Sequence, residues 1–203
     1  VIEQQCDEIL AGNRIVVFQG DRLNRISQLK PAMYLRGADN IFMDLVLNPK
    51  IARAIFNKIK QFYLEYLKRI LQASNGKIDI VLTGDDFGAQ NGLLVNAEMW
   101  RTFLQPGFVE YLDLIRRYNK ISMHHSCGSV VEIIPDMIEC KLDVLQSIQP
   151  EANGMSLASL KSKFGKSICY QGGISIQKTM PFGSTKDIEQ EVKTIAQTVG
   201  SVS

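Results

Sequence analysis

The chain has 203 residues, of which 45% are hydrophobic and 22% are charged, an ordinary composition for one globular domain. This composition excludes a disordered, collagen-like or disulfide-dense chain, and no apolar run approaches the ~18 residues that a membrane span needs. The 23 Lys and Arg residues against 21 Asp and Glu residues leave a net charge of +2, which predicts neither a nucleic-acid nor a membrane partner.

The chain begins with Val1 rather than Met, and residues 1–11 already have helical spacing. No basic start followed by an apolar stretch and a cleavage site is present, so no signal peptide is expected. The end, 199–203, has no terminal signature either. We therefore expect residues 1–203 to form a single domain, truncated at both ends, from a larger cytoplasmic protein.

Short apolar runs predict five strands, and helical patterns separate them. The strands are expected near 15–18, 78–83, 120–124, 142–145 and 168–171. The helices are expected at 38–47, 49–73 and 97–118 (with a break at Pro106-Gly107), after a Ser129–Glu132 capping box with a reset at Pro135, after Ser156, and after Ser184 or Thr185.

Two of these helices carry apolar residues at helical spacing that predict their buried faces. The helix at 49–73, with Asn48 as its cap, is expected to bury Ile51, Ile55, Ile59, Phe62, Tyr66 and Ile70. The last helix is expected to bury Ile188, Val192, Ile195 and Val199.

The alternation of strands and helices is typical of parallel βαβ units. An open doubly wound sheet and a closed (β/α)8 TIM-type barrel both fit this pattern. No G-x-G-x-x-G follows any of the strands, which favours the barrel. Because five strands are fewer than eight, we expect an α/β fold in which this chain is an incomplete portion of the barrel.

Polar residues follow each predicted strand, where parallel α/β folds place their chemistry. They are Gln19, Gly20, Asp21 and Arg22; Asp85 and Asp86; His125 and Cys127; Gln146 and Gln149; and Gln171, Gly172 and Gly173. We expect Asp85, Asp86, Gln146, Gln149 and Gln171 to line one cavity with His125 and Cys127.

The pair His125 and Cys127 is the most informative of these groups. Residues i and i+2 of an extended segment point the same way, so the imidazole and the thiol can converge on one metal ion. That donor pair suits Zn²⁺, although a partly buried His beside a small core Cys is the simpler alternative. His124 is expected to point away from this side.

Asp85 and Asp86 are candidate catalytic residues, since a loop carboxylate can bind a cation, act as a base or orient a ligand. The alternative is a simple turn, because Gly, Asp and Phe-Gly surround them. The four cysteines have no short repeated spacing and are expected to be reduced thiols. We expect structural roles for Cys6 and Cys140, a core position facing the barrel for Cys169, and a packing role for Trp100.

From about residue 40 to 200 the chain resembles the uroporphyrinogen decarboxylase superfamily, and within it the zinc-dependent, corrinoid-linked methyltransferases such as methylcobamide:coenzyme M methyltransferase. The motifs that carry the resemblance are Gly84-Asp85-Asp86-Phe87-Gly88-Ala89-Gln90, Met99-Trp100-Arg101-Thr102-Phe103, His125-Ser126-Cys127-Gly128-Ser129, Ile134-Pro135-Asp136-Met137-Ile138, Gln149-Pro150, Gly172-Gly173-Ile174 and Pro181-Phe182-Gly183.

The resemblance implies a (β/α)8 barrel longer than this chain, with zinc held by His125, Cys127 and a later Cys that lies outside it. It implies transfer of a methyl group from a corrinoid on a partner protein to a small thiol. Asp85 or Asp86 would then orient a ligand, and Gln146, Gln149, Gln171, Gly172 and Gly173 would contact substrate. Two other functions stay open: a metal-free tetrapyrrole decarboxylase and a non-catalytic tetrapyrrole-binding protein.

Overall fold

The computed structural model describes residues 1–19 and 26–200, so the candidate loop residues Gly20, Asp21 and Arg22 lie outside the described residues. Five strands form one sheet, each within a few residues of its predicted position. They are β1 (Val17–Phe18), β2 (Ile80–Gly84), β3 (Ile121–His125), β4 (Val144–Ile148) and β5 (Cys169–Gly172).

All neighbouring strands are parallel, and their order in space is β1-β2-β3-β4-β5. An open doubly wound sheet would reverse its strand order at a switch point, whereas a barrel adds strands in sequence order. The order therefore matches a barrel portion. Among the described residues the sheet stays open between β1 and β5, as expected for an incomplete barrel.

Helices lie between these strands along the chain. They are α1 (Ile2–Ala11), α2 (Leu29–Arg36), α3 (Ala38–Leu47), α4 (Pro49–Ala73), α5 (Ala97–Phe103), α6 (Gln105–Arg117), a 3-10 turn (Val131–Ile133), α7 (Ile134–Glu139), α8 (Leu157–Phe164), α9 (Thr179–Phe182) and α10 (Thr185–Val199). The predicted break at Pro106 is two residues late, because Leu104 separates α5 from α6 and Pro106 lies in the first turn of α6. Among the described residues no helix is both long and apolar enough to cross a membrane.

The buried face of α4 differs from the predicted stripe. Ile51 and Phe62 are 44% and 63% exposed. The buried residues are Ala52, Phe56, Ile59, Tyr63, Leu67 and Leu71. Of the predicted stripe, Ile59 is therefore buried, and Ile55, Tyr66 and Ile70 are partly buried against the core. Helices α2, α3 and α6 make the most extensive contacts with α4, and α1 and α5 also contact it, so these neighbours select its inner face. Apolar residues recur at helical spacing along both the predicted stripe and the buried one. The spacing alone therefore indicated a face rotated from the face that is buried.

The capping predictions were confirmed at two helices and wrong at two others. Ser156 accepts from the Ser159 backbone N–H, and Ser184 forms a capping box with Asp187. The Ser129 hydroxyl instead donates to the Asn153 carbonyl (2.6 Å), so the predicted box with Glu132 does not form. The Asn48 side chain donates to Asp44 (3.0 Å) and does not cap α4.

Burial near the C-terminus is lower than predicted. Helix α10 contains no fully buried residue and Val192 is 45% exposed, whereas Ile195 and Val199 are partly buried against the core. Cys169 is exposed rather than part of the core, while Cys6 and Cys140 are buried as expected. Trp100 is fully buried between Phe87 and Phe108, which confirms its packing role.

Candidate functional site

The polar residues at the ends of β3, β4 and β5 form a row. His125 is the register partner of Gln146, which in turn is the partner of Gln171. Register partners in a sheet share one face, so these three side chains lie side by side. His124 lies on the opposite face, where its ring stacks on Phe87 and its Nδ1 is 2.7 Å from Thr83 Oγ1. The prediction that His124 points away from His125 is confirmed.

His125, Cys127 and Asp86 bring their polar atoms together beyond the ends of β2 and β3. His125 Nε2 is 3.4 Å from Cys127 Sγ and 3.4 Å from Asp86 Oδ1. The three candidate ligand atoms all lie within 4.8 Å of one another. The Cys127 backbone N–H also donates to Asp86 Oδ1 (3.1 Å), which ties the two strand ends together.

Two of these separations can be compared with those in a tetrahedral zinc site. Zinc bonds of 2.0–2.3 Å to nitrogen, oxygen and sulfur place two donors of one tetrahedron about 3.3–3.8 Å apart. The two separations of 3.4 Å fall within that range. One imidazole, one thiol and one carboxylate also form a donor set that zinc accepts. The described residues therefore place an imidazole, a thiol and a carboxylate where they could hold a metal ion.

The sequence named Asp86 as a candidate catalytic residue that could also bind a cation, but it did not place Asp86 beside His125 and Cys127 in one cluster. The β2–β3 register pairs Gly84 with His125, and two further residues along each chain lead to Asp86 and Cys127. Aligning the ends of the two predicted strands would have given this signal. Lys30 was missed as well: its Nζ contacts Asp86 Oδ2 at 3.0 Å from α2, a helix that the sequence did not predict.

Gln146 orients the imidazole of His125. Its Oε1 lies 2.8 Å from His125 Nδ1, on the opposite side of the ring from the cluster. An Nδ1–H that donates to Gln146 leaves Nε2 facing Asp86 and Cys127, which is the tautomer that a metal needs at Nε2. Gln146 therefore fixes the orientation of the His125 ring.

The charges at the site favour an ion pair between His125 and Asp86 in the metal-free protein. The hydrogen bond with Asp86 is the main cause that raises the pKa of His125 to about 9, with Cys127 contributing next. The hydrogen bond with His125 likewise holds the pKa of Asp86 well below its usual range, and the Cys127 N–H and Lys30 add to it.

Asp85 does not join this cluster, although it precedes Asp86 directly. Its buried carboxylate accepts from the backbone N–H groups of Gln28 (2.7 Å), Leu29 (2.5 Å) and Lys30 (2.9 Å). Burial is the main cause that raises its pKa to about 6. These bonds place Asp85 at the N-terminus of α2, where it satisfies three donors that the helix leaves unpaired. The geometry therefore gives it a structural role.

The other predicted site residues are spread more widely. Gln149 accepts from the Gly128 N–H (2.6 Å) and so holds the turn after Cys127. Gln171 and Gly172 are exposed at the end of β5. A Cβ on Gly172 would lie 2.8 Å from Ile148 N, so close backbone approach explains this glycine. Gly173 also has positive φ, and a Cβ there would meet Leu157 at 2.6 Å. That all of these residues line one cavity stays a prediction.

Comparisons with known proteins agree with the fold and the motifs. The family model for uroporphyrinogen decarboxylase (URO-D) matches residues 29–202. A solved structure, a methyltransferase from Methanosarcina mazei, has 17% sequence identity and a TM-score of 0.68 with this chain. The alignment covers 84% of this chain and 48% of that one, so the chain spans about half its length. No curated protein matches the sequence.

The structural likeness confirms that the five-stranded parallel sheet belongs to an α/β fold of this kind, of which the chain forms a portion. The family match covers most of the chain and includes every element from α2 to α10. The resemblance predicted from the motifs is confirmed at the level of the family: the chain belongs to the uroporphyrinogen decarboxylase family.

Proposed function

We propose that the protein is a zinc-dependent methyltransferase that moves a methyl group from a methylated corrinoid, carried by a partner protein, to a small thiol. The observation that carries the proposal is the convergence of Asp86, His125 and Cys127 within 4.8 Å. Barrel enzymes carry their chemistry at this end of the strands. The likeness to a methyltransferase structure supports the same reaction class.

His125 and Cys127 would hold the zinc ion through Nε2 and Sγ, with Asp86 Oδ1 as a third donor. When bound, zinc would keep an acceptor thiol in its thiolate form near neutral pH. A Cys from outside this chain, as the resemblance implies, would replace Asp86 as third ligand or add to it. If that Cys replaced Asp86, the Asp86 carboxylate would remain beside the thiol substrate and could accept a hydrogen bond from it.

The surrounding residues hold these donors in place. Gln146 sets the tautomer of His125, and Lys30 occupies the second oxygen of Asp86, which leaves Oδ1 directed at the cluster. Gln149 supports the turn that carries Cys127. Gln171 is exposed beside Gln146, with Gly172 and Gly173 next to it, and this edge would contact the acceptor. A preorganised set of donors of this kind is what metal-assisted transfer requires.

The proposal is tested by metal analysis of purified full-length protein. We expect about one zinc per chain in the wild type, and loss of most of it in His125→Ala and Cys127→Ser. Asp86→Asn is expected to weaken binding roughly 10–100-fold rather than abolish it if a further Cys completes the site. Cys169→Ser is the matched control, because this exposed cysteine lies outside the cluster. Equal zinc in all variants, or none in the wild type, would contradict the site.

Methyl transfer is then assayed with a methylated corrinoid and a panel of thiols. The expected result is thioether formation that requires both the zinc and the intact His125–Cys127 pair. Zinc without transfer to any thiol would keep the metal site and overturn the reaction class.

A second function is favoured by the family description, which is that of uroporphyrinogen decarboxylase. Such an enzyme needs no metal and works by charge stabilisation of its tetrapyrrole substrate. It would leave Asp86 and His125 as a partly buried ion pair next to the substrate. Zinc-free wild-type protein that decarboxylates uroporphyrinogen would establish this function instead.

A further inference from the structure

Strand β4 contains an irregularity next to the candidate site. Its register on β5 runs from Gln146–Gln171 to Ile148–Gly172, so Ser147 is an extra residue without a partner. Ser147 has a φ of +74°, a conformation that non-glycine residues rarely adopt. The other non-glycine residues with positive φ in 1–19 and 26–200 are Asn13, Asn75, Asn119 and Lys141, and all four lie in turns.

This bulge changes where two consecutive side chains point. In a regular strand the side chains of Gln146 and Ser147 would point to opposite faces of the sheet. Here Gln146 Oε1 lies 2.8 Å from His125 Nδ1, and Ser147 Oγ lies 3.8 Å from Cys127 Sγ. Adjacent residues of β4 therefore each contact one member of the His125–Cys127 pair, which lies at the end of β3 and two residues beyond it.

The neighbouring strand is shaped to accept the bulge. Gly172 has a φ of +117°, and a Cβ on it would lie 2.8 Å from Ile148 N. The Gly173 N–H donates to the Ile148 carbonyl (2.9 Å) and closes the ladder after the extra residue. Bulges that re-aim a side chain, and residues held in strained backbone conformations, are concentrated next to functional sites.

We propose that Ser147 is a positioning residue that donates its hydroxyl hydrogen to the sulfur of Cys127, as Gln146 supports the imidazole of His125. This inference rests on the proposed zinc site. A hydrogen bond to a negatively charged sulfur stabilises that charge and reduces the electron density that the sulfur donates to a metal. The bulge therefore gives His125 and Cys127 a supporting contact each from β4.

The test uses full-length metal-free protein loaded with Co²⁺, whose sulfur-to-metal absorption band reports on the ligand sulfur, and with Zn²⁺ in competition titrations. Ser147→Ala removes the hydroxyl and keeps a side chain in the strained conformation. Ser147→Gly removes the hydroxyl and also relieves the backbone. We expect both variants to move the absorption band to longer wavelength and to lower Zn²⁺ affinity about 10-fold.

Lys141→Gly is the matched control, because Lys141 also has positive φ, precedes β4 in a turn, and makes no contact with the cluster. It is expected to leave the band and the affinity unchanged. A wild-type band and affinity in both Ser147 variants would overturn the inference. A change in Ser147→Ala that is absent in Ser147→Gly would also overturn it, since backbone strain would then be the cause. Failure of the wild type to bind Co²⁺ or Zn²⁺ would overturn the zinc site itself.

Discussion

The two halves of the sheet differ in how firmly their strand ends are held. Strands β2 to β4 are paired on both sides, and the residues at their ends have specific partners, as His125 has in Gln146 and Asp86. Strand β5 is the sheet edge, most of its residues are exposed, and α9 and α10 contain no buried residue. The polar residues that join the candidate site are therefore those whose strands are paired on both sides and whose side chains have hydrogen-bond partners.

Helix capping does not explain why the C-terminal region is less buried than the centre of the sheet. Helix α10 has a complete capping box at Ser184 and Asp187, yet its apolar residues remain partly exposed. By contrast, α4 lacks a side-chain cap and buries six residues among its contacts with α1, α2, α3, α5 and α6. Capping helps a helix to begin, whereas burial of its apolar face supplies most of its stability in a protein.

The largest expected difference between the two regions is in core packing. Trp100→Ala removes a fully buried ring that contacts Phe87 and Phe108, and is expected to lower the free energy of unfolding by about 3–5 kcal/mol. Phe182→Ala is the matched control, because Phe182 is 85% exposed in α9, and a change within about 0.5 kcal/mol is expected. Urea unfolding measures both. Equal losses would show that the C-terminal region is packed as tightly as the centre of the sheet.

The next largest effect is expected where the central strands hold α2. Asp85→Ala leaves three backbone N–H groups without their acceptor, so we expect a loss of about 2 kcal/mol in the free energy of unfolding. Asp85→Asn keeps one acceptor oxygen and should cost less. Asp39→Ala, in the exposed first turn of α3, serves as the control and should be nearly neutral. A neutral Asp85→Ala in the same unfolding assay would show that α2 does not depend on this carboxylate.

A smaller effect is expected on charge at the cluster. Asp86→Asn removes the main cause of the raised pKa of His125, so that pKa should fall from about 9 by at least about one unit toward the ordinary value near 6.5. The measurement is an NMR titration of the imidazole signals in metal-free protein. His124, on the opposite face, is the internal reference. An unchanged pKa of His125 would mean that Asp86 and His125 do not interact in solution.

The smallest effect is expected in the last helix. Val192 is 45% exposed, so Val192→Ala should change the free energy of unfolding by less than about 0.5 kcal/mol. Ile59→Ala in α4, a residue 6% exposed, should cost about 2–5 kcal/mol under the same conditions. A large loss at Val192 in full-length protein would show that this stripe is covered there.

Much of the site followed from strand periodicity. His125 and Cys127 are two residues apart in an extended segment, so their convergence was predictable from the sequence. The opposite orientation of His124 followed from the same alternation. The different roles of Asp85 and Asp86 were not predictable. They depend on contacts with the start of α2, which lies more than 50 residues earlier in the chain.

The bulge at Ser147 also lay beyond sequence reasoning. Nothing in the local pattern of β4 distinguishes Gln146-Ser147 from a regular strand. Gly172, which makes room for the bulge on β5, lies 25 positions after Ser147 in the chain. The buried face of α4 was missed for a related reason, since two apolar stripes compete and the contacts with α2, α3 and α6 decide between them.

The sequence by itself determined the five strands, their parallel arrangement, the polar strand ends and the His-x-Cys pair, because these depend on alternation and spacing within single segments. The tertiary structure decided which helix faces are buried, which carboxylate joins the cluster, and where β4 bends. Those features arise from contacts between residues far apart in the chain, and the free energy of burial and hydrogen bonding at such contacts exceeds the local preferences of any one segment.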